Sequence, residues 1–448
     1  MTEDKPVSRL FRGGRIFDGR QFHENSEIRC GGDGLVVEVG QNLTPAPEDE
    51  IVDIEGHLLM PGLVDCHVHF REPGLERKEG YSTGSAGALH GGVTTVLEIQ
   101  NNPPLMVSRE LLEAKLEGLK GVSRVDYAPY GSLTLDAIGA LAGMTSLCPA
   151  VKCFLGCSTG AGGVKSRDEM KALFTEAAGA GIQVVAHCED NAVMERASQI
   201  ASPDEALRHD FMRPSEAEIV SIRDAIEVAE EVGTRLHVFH ISSEAGARLV
   251  VEAAKQGFPV TGSTAPHYLL LTGDEAHEAP ENRMKVNPSV KSPDDRRGLA
   301  KLLGEGLLPV VGTDHAPHPL DEKRRPYSKA PSGFPSVDIL LPLMFAVADR
   351  HDLPLETVLS AVTSAPAEEF GLSGKGALAP GCSADLVLVD TESVFQVDES
   401  LLPSRSKWSP YHGWELRGRP LKVWLRGRPV WDGSGPVGVP LGRPLFPK

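Results

Sequence analysis

Six side chains able to bind a metal ion stand at or just after short, β-branched runs of the sequence. His67 and His69 are two residues apart, so an extended strand would point both imidazoles to one side. The other four follow later runs: Lys152, His187, His240 and Asp314. If these runs are barrel strands, their carboxyl ends meet at one mouth. Six polar groups in apolar segments would be costly to bury unpaired, so the pattern predicts a metal site.

Each of these residues, taken alone, also has an ordinary structural interpretation. An H-x-H pair is often packed or exposed without a ligand, and a single buried His187 or His240 would fit a core histidine. Lys152 alone fits a structural ion pair, and Asp314 alone fits a turn. Their joint occurrence at corresponding strand ends favours the metal site.

Lys152 is the informative member of this group, because an ammonium repels a metal ion. Carbon dioxide converts a lysine amine into a carbamate, which is an anionic ligand able to bridge two metals. Neutral imidazoles with bridging oxygens suit two zinc ions best, and manganese or cobalt also fit. A water held between two cations loses a proton near neutral pH and becomes a nucleophile.

The elements that must position these groups follow from the pattern between Leu58 and about Leu372. Short β-branched runs alternate there with Ala-, Glu- and Lys-rich helical stretches such as SRDEMKALFTEAAGAG and PSEAEIVSIRDAIEVAEEVG. This alternation is typical of βαβ units with parallel strands. Eight strand segments favour a closed (β/α)8 TIM-type barrel: LVDCHVHF, VTTVLEI, VDYAPYG, AVKCFLG, IQVVAHC, RLHVFHIS, FPVTGST and LPVVGTD.

Both ends of the chain have a different pattern of short extended runs separated by glycines, such as FRGGRIFDG, SADLVLVD and LKVWLRGRPVW. We therefore assign residues 1–56 and 375–448 to one discontinuous β-sandwich domain with neighbouring termini. Residues 57–374 form the predicted metal-dependent hydrolase barrel.

Bulk properties narrow the class of protein. The formal charge of −17 argues against nucleic-acid and anionic-membrane binding, which need basic surfaces. No apolar run reaches membrane-spanning length, and the first residues lack a hydrophobic signal core. The seven scattered cysteines indicate reduced thiols, so we expect a cytoplasmic protein.

Five ordered motifs resemble the dihydroorotase, hydantoinase and allantoinase branch of the amidohydrolase superfamily. They are GLVDCHVHFREPG, VKCFLGCSTG, VVAHCED, HVFHISS and GTDHAPHPLDEK. The resemblance extends from about Gly13 to Val430 and includes the tail segment KWSPYHGWELRGRP. It implies one set of ligands for each of two divalent ions: His67, His69 and Asp314 for the first, and His187 and His240 for the second. It also implies that a carboxylated Lys152 bridges the ions and that Asp314 carries a proton to the leaving nitrogen.

The resemblance also implies substrate contacts. Arg71 stands where members of this branch hold a substrate carboxylate, which suits a guanidinium fork. The other implied contacts are Asn101, Asn287, His318, Ser332 and Gly333. Several nearby segments depart from the usual pattern, namely QNNPP, NPSVK and APHY, and they leave the substrate open. We interpret His237 as a packing or supporting residue and Cys153, Cys157 and Cys188 as packing residues.

The predicted activity is the dihydroorotase reaction, reversible hydrolysis of dihydroorotate to N-carbamoyl-L-aspartate in pyrimidine synthesis. Two alternatives stay open. One is a related allantoinase, hydantoinase or dihydropyrimidinase. The other is a non-catalytic scaffold, which would have lost some of the ligands that this chain keeps. We expect a homo-oligomer, either dimer or tetramer, with association to an aspartate carbamoyltransferase as a further partner.

Overall fold

Two parallel sheets occupy the central part of the chain in the computed structural model, which describes residues 7–158 and 162–446. The first sheet has three strands: Leu63–Val68, Val93–Glu98 and Asp126–Pro129. The second has six: Gly131–Ser132, Ala150–Phe154, Gln183–His187, Leu236–Val238, Val260–Thr264 and Val310–Val311. Neighbours in each sheet follow one another along the chain, and all pairs are parallel. The fold is therefore mixed α/β with a parallel centre.

Each of the eight predicted segments contains a strand, but three differ from expectation in extent, and the eighth strand is only Val310–Val311. The third is interrupted at Tyr130, so that Asp126–Pro129 pairs with the second strand and Gly131–Ser132 with the fourth. The sixth strand ends at Val238, two residues before His240. The backbone of His240 has a φ of 43°, which ends the extended conformation. A parallel bridge joins Val68 to His315, next to the last short strand.

Helices separate the central strands as the sequence pattern predicts. Both helical stretches expected from the sequence are confirmed as Arg167–Ala180 and Ser215–Val232. Both end where a glycine adopts a left-handed backbone, at Gly181 and Gly233. The remaining α-helices are Tyr81–His90, Arg109–Gly118, Leu141–Met144, Asn191–Ile200, His209–Met212, Glu244–Lys255, Pro266–Leu270, Gly273–Glu278, Pro293–Gly304, Leu320–Lys323, Leu340–His351, Leu355–Ser360 and Ser364–Glu369.

The two ends of the chain share sheets and a core. A six-stranded sheet mixes their strands in the order Arg428–Trp431, Arg419–Leu425, Leu386–Asp390, Leu58–Pro61, Arg15–Phe17 and Phe22–Glu24. A four-stranded sheet contains Val36–Gly40, Glu27–Cys30, Ser8–Arg12 and Asp49–Asp53. Phe11 and Trp424 from opposite ends pack edge to face, with ring centroids 5.1 Å apart. A further pair of short strands, Phe395–Gln396 and Glu415–Leu416, lies near the C-terminus.

Two features of the ends were not expected from the sequence. The strand Leu58–Pro61 belongs to this mixed sheet, although it follows the boundary predicted at residue 56. Residues 443–445 lie against the third central strand, where the amide of Tyr127 donates to the Arg443 carbonyl and its own carbonyl accepts from Leu445. Residues 443–445 therefore contact a central strand.

The cysteine and membrane expectations can be compared with the described residues. All seven cysteines are free thiols in this part of the chain. Cys153 and Cys188 are buried, as packing residues should be, but Cys157 is exposed, so its interpretation as a packing residue was wrong. Within the described ranges, no helix combines the length and apolar character needed to cross a membrane.

Candidate active site

One cavity is lined by almost all of the predicted site residues. It lies at the carboxyl ends of the central strands. Eleven of the twelve predicted residues line it: His67, His69, Arg71, Asn101, Lys152, His187, His240, Asn287, Asp314, Ser332 and Gly333. The twelfth, His318, does not line it. Because these residues come from strands far apart in the chain, the fold alone brings them together.

The first group of ligand-type atoms surrounds the Asp314 carboxylate. Its Oδ1 lies 3.2 Å from His67 Nε2 and 3.2 Å from His69 Nε2. His69 Nδ1 lies 2.8 Å from the Ile99 carbonyl oxygen. That contact requires the proton on Nδ1 and leaves the Nε2 lone pair directed at Asp314. These three side chains, all buried, form a group whose ligand atoms can share one metal ion.

The second group is the pair His187 and His240. Their Nδ1 and Nε2 atoms, respectively, are 3.1 Å apart. Two nitrogens on one tetrahedral zinc, each about 2.0–2.1 Å from it, would be about 3.3 Å apart. On its other side, His187 Nε2 lies 3.0 Å from the Glu189 carboxylate. Arg213 binds the same carboxylate, so the imidazole is held from behind by a charged pair.

Lys152 lies between the two groups with its amine buried. In the described residues, its Nζ has no hydrogen-bond partner. It faces the rings of Phe239 at 4.7 Å and Phe154 at 5.0 Å. Burial lowers the lysine pKa to about 7, so at neutral pH part of the amine is uncharged. The uncharged amine is the form that reacts with carbon dioxide.

The donor set fits divalent metal ions. Burial, followed by the nearby Lys152 charge, holds the pKa values of His67 and His240 well below their usual range. Burial also lowers the pKa values of His69 and His187. The imidazoles are therefore neutral and keep the lone pairs that a metal requires. A buried, unpaired lysine amine between them is unfavourable unless something binds it.

Three residues of the cavity have left-handed backbone conformations that side chains rarely adopt. The φ angles are 65° at Arg71, 43° at His240 and 50° at Asp314. Such conformations cost on the order of 1–3 kcal/mol each for a residue other than glycine. All three residues lie two or three positions beyond the end of a central strand, and their side chains line the cavity. Strained backbone at three cavity residues is typical of a functional site.

Arg71 is the buried cation of the cavity. One guanidinium nitrogen, Nη1, donates to the Asn101 side-chain oxygen. The Nε and Nη2 atoms are buried and have no hydrogen-bond partner in the described part of the chain. Burial lowers the Arg71 pKa to about 10, which leaves the group charged at neutral pH. A buried guanidinium with unused N–H groups is suited to bind a carboxylate.

His318 lies beside the cavity wall. Its Nδ1 accepts a hydrogen bond from Lys78 Nζ at 2.9 Å, and its Nε2 donates to the Ser332 carbonyl at 3.1 Å. Glu322 lies 2.8 Å from the same lysine. Both imidazole nitrogens are therefore hydrogen-bonded, and the ring supports the Ser332 segment. A substrate contact was predicted for His318, and in this structure its side chain does not line the cavity.

Some residues of the site were not singled out from the sequence. Phe154, Ser158, Val286 and Ala316 complete the cavity lining. Strand alternation offered a signal for Phe154, which is two residues from Lys152 on the same strand. His237, in contrast, bonds to Thr261 and Ser263 away from the cavity, in agreement with a packing or supporting role.

Comparison with known proteins agrees with this geometry. A profile described as "Amidohydrolase family" matches residues 159–430, and one described as "Dihydro-orotase-like" matches residues 56–246. A dihydroorotase of Geobacillus sp. (strain WCH70) is 32% identical over 425 residues, with 94% of this chain and 98% of the relative covered. A dihydroorotase of Bacillus cereus (strain AH187) is also 32% identical, with 93% and 97% covered.

Among solved structures, the L-hydantoinase (dihydropyrimidinase) of Arthrobacter aurescens superposes with a TM-score of 0.91 at 26% identity, with 98% of this chain and 99% of that chain covered. A dihydropyrimidinase of Brevibacillus agri NCHU1002 has the same fold, with a TM-score of 0.88 at 23% identity and 98% of each chain covered. Members of the amidohydrolase family generally bind divalent metals, in agreement with the donor set described above. This chain belongs to the amidohydrolase family, in its dihydroorotase-like group, and is a cyclic amide hydrolase.

Proposed function

We propose that this enzyme is a dihydroorotase, which reversibly hydrolyses the ring amide of dihydroorotate to N-carbamoyl-L-aspartate in pyrimidine synthesis. The observation that carries the proposal is the pair of unpartnered, buried N–H groups of Arg71 beside the metal-ligand group. Dihydroorotate carries a carboxylate next to the ring nitrogen, whereas hydantoin and dihydrouracil are uncharged rings. The curated relatives at 32% identity are named dihydroorotases, which supports the same substrate.

The cavity offers a complete arrangement for this substrate. The Arg71 fork would take the carboxylate and, through Asn101, would stay in a fixed orientation. Asn287 and the Ser332–Gly333 backbone stand on another part of the lining and would contact the ring amide atoms. Asn287 is itself oriented by a 2.8 Å contact between its side-chain oxygen and His209 Nε2. Binding is then directional, which is what ring opening at one bond requires.

We propose two ligand groups around two divalent ions, with zinc as the ion that best suits these donors. The first contains His67, His69 and Asp314, and the second contains His187 and His240. A carboxylated Lys152 would stand between them and contribute to both. When bound, the ions would supply Lewis acidity and an activated water near neutral pH. Asp314 would accept the proton of the attacking water and deliver it to the ring nitrogen as the C–N bond breaks.

The main alternative is a hydantoinase or dihydropyrimidinase, favoured by the solved structure at 26% identity and a TM-score of 0.91. Such an enzyme would use the same metal ligands on an uncharged ring. Arg71 argues against it, because a buried guanidinium without an anionic partner would weaken binding of a neutral substrate. A non-catalytic scaffold is disfavoured by the presence of all six ligand-type side chains in one cavity.

We also propose the architecture in which this site lies. The two parallel sheets would be arcs of one closed (β/α)8 barrel, supported by their sequential strand order and by the bridge from Val68 to His315. The sheets from the two chain ends would form the discontinuous β-sandwich domain, supported by their mixed strands. Homo-oligomer formation and association with an aspartate carbamoyltransferase can be tested by sedimentation of the enzyme alone and mixed with that partner.

A substrate comparison with one variant tests the proposed function. Wild-type enzyme should hydrolyse dihydroorotate faster than allantoin, hydantoin or dihydrouracil at equal concentrations. Loss of a charge-assisted carboxylate pair should lower kcat/KM of Arg71→Met for dihydroorotate by on the order of 10²-fold or more. Metal content should not change, because Arg71 is not a ligand. A wild-type preference for an uncharged ring, or normal dihydroorotate turnover by Arg71→Met, would show that the substrate assignment is wrong.

A further inference from the structure

A second buried lysine lies behind the substrate side of the cavity. Lys323 is inaccessible to solvent, and its Nζ donates three hydrogen bonds to backbone carbonyls. The acceptors are Lys285 at 3.1 Å, Pro331 at 3.0 Å and Gly333 at 2.9 Å. In residues 7–158 and 162–446, no carboxylate lies within ion-pair distance of this amine. Three neutral carbonyls match the three N–H donors of one ammonium.

These carbonyls belong to two segments that line the cavity from different parts of the chain. Lys285 is two residues before Asn287, and the other two acceptors flank or include the Ser332–Gly333 pair. The Gly333 amide also donates to the Lys285 carbonyl at 2.9 Å. Lys323 thus joins the wall that carries Asn287 to the wall that carries Gly333. Neither segment is a strand or a helix, so few other backbone bonds fix them.

We propose that Lys323 is a positioning residue for substrate binding, holding the Asn287 segment and the Ser332–Gly333 backbone in a fixed position relative to each other in the cavity lining. This inference rests on the proposed function, because it assumes that those groups contact the cyclic amide. Lys323 itself touches neither the cavity nor the metal ligands. Its effect is therefore on the substrate walls alone, and it is separate from metal binding.

The tail segment KWSPYHGWELRGRP also contributes to the surroundings of Lys323. Trp408 Nε1 donates to the His318 carbonyl at 2.7 Å, and its ring lies 5.9 Å from Lys323 Nζ. The indole is buried beside the amine. Exclusion of water by this ring strengthens the three amine–carbonyl bonds. The tail segment contains no proposed metal ligand, but through Trp408 it contacts the residue that positions the cavity lining.

A matched pair of methionine variants tests the inference. Lys323→Met keeps the side-chain volume but removes the donor to three carbonyls, of which that of Lys285 keeps its bond from the Gly333 amide. Lys329→Met changes an exposed lysine of the same segment. For Lys323→Met we expect KM to rise at least about tenfold, with kcat changed less than about threefold. Metal content by elemental analysis should stay at the wild-type value. Hydrogen exchange of the 331–333 amides, measured without substrate, should accelerate. Lys329→Met should match the wild type in all four measurements.

Other results of these measurements would overturn the proposal. A lower melting temperature with unchanged KM and unchanged exchange at 331–333 would make Lys323 merely structural and overturn the proposal. If Lys323→Met does not fold, Lys323→Gln keeps two N–H donors and decides: a raised KM supports the proposal, and a wild-type KM overturns it. KM is measured with whichever cyclic amide the wild type hydrolyses. A wild type that acts on hydantoin would therefore refute the dihydroorotase assignment while the Lys323 test still gives an answer.

Discussion

His187 Nδ1 and His240 Nε2 lie 3.1 Å apart, although 53 residues separate them in the chain. Parallel pairing brings their strands side by side, since Val185 is opposite His237. The left-handed turn at His240 then directs its ring back towards His187. The ring centroids are 4.9 Å apart and the ring planes are inclined by 75°.

The metal content of the enzyme is the first test of the proposed pairing of His187 with His240. The wild-type enzyme should contain close to two divalent ions per chain, and His187→Ala should lose about one of them, because an imidazole is about a quarter of a tetrahedral shell. Elemental analysis after gel filtration measures both. The exposed His277 is a matched control, and His277→Ala should retain the wild-type content. Two retained ions in His187→Ala would contradict the proposed ligand set.

Lys152→Ala should lose the bridging ligand and reduce activity by on the order of 10³-fold or more. Short carboxylic acids should restore part of it, since they can occupy the space left by the carbamate. The exposed Lys165 provides the control variant, Lys165→Ala. A ¹³C carbonyl signal from labelled carbon dioxide should appear in wild-type enzyme and be absent from Lys152→Ala. An unmodified lysine in active, metal-loaded enzyme would refute the carbamate.

Glu189→Gln should weaken retention of the second ion. The carboxylate lies 3.0 Å from His187 Nε2, so it fixes the ring and raises the basicity of Nδ1. Removal of such a partner typically costs about 10- to 100-fold in metal affinity. Competition with a chelator measures that affinity without an activity assay. Exposed Glu195, changed to Gln, should show wild-type affinity.

Gly333→Ala should raise KM. A Cβ added there would lie 2.6 Å from the Ala316 carbonyl oxygen, and the glycine φ of 120° disfavours any side chain. The segment must therefore shift, and substrate binding should weaken by about tenfold or more. Gly306 also has a positive φ but no neighbour within 4 Å of such a Cβ. Gly306→Ala should therefore reduce stability without changing KM, and equal KM values in both variants would contradict the role of Gly333.

Lys375→Met should destabilise the fold by about 3–5 kcal/mol, because it removes the cation bound to buried Asp385 and one of the two cations bound to buried Asp126, which keeps Arg426. Lys375 Nζ lies 2.6 Å from Asp126 on a central strand and 2.6 Å from Asp385 beside the end sheets. Urea unfolding measures the loss. The exposed Lys171–Glu231 pair is the control, and Lys171→Met should change stability little.

The buried group of Lys375, Asp126 and Asp385 makes the stability of the fold depend on pH in the acid range. Asp126 is buried, which raises its pKa, but Lys375 and Arg426 more than compensate and leave the pKa below its usual value. A carboxyl whose folded-state pKa is depressed contributes stability above its unfolded pKa. That contribution is lost as the pH falls through the lower, folded-state value. Melting temperatures between neutral pH and about pH 3 should fall more steeply for the wild type than for Lys375→Met.

Local sequence patterns determined much of the fold. The strands follow from β-branched runs, and the helix ends follow from glycines such as Gly181 and Gly233, whose left-handed backbone stops a helix. The H-x-H spacing at His67 and His69 likewise determines that both rings share one face of a strand. These features depend on neighbours in the chain, so sequence alone predicted them.

Only the tertiary structure decided how the parts of the site are oriented. The left-handed backbone at Arg71, His240 and Asp314 depends on the surrounding packing, which no local pattern encodes. The position of His318 beside Ser332 depends on which groups meet after folding. So do the bonds of Lys323 to two segments that are far apart in the sequence. The partners of a buried side chain depend on which polar groups the whole fold leaves unpaired beside it. These roles could therefore be assigned only from the tertiary structure.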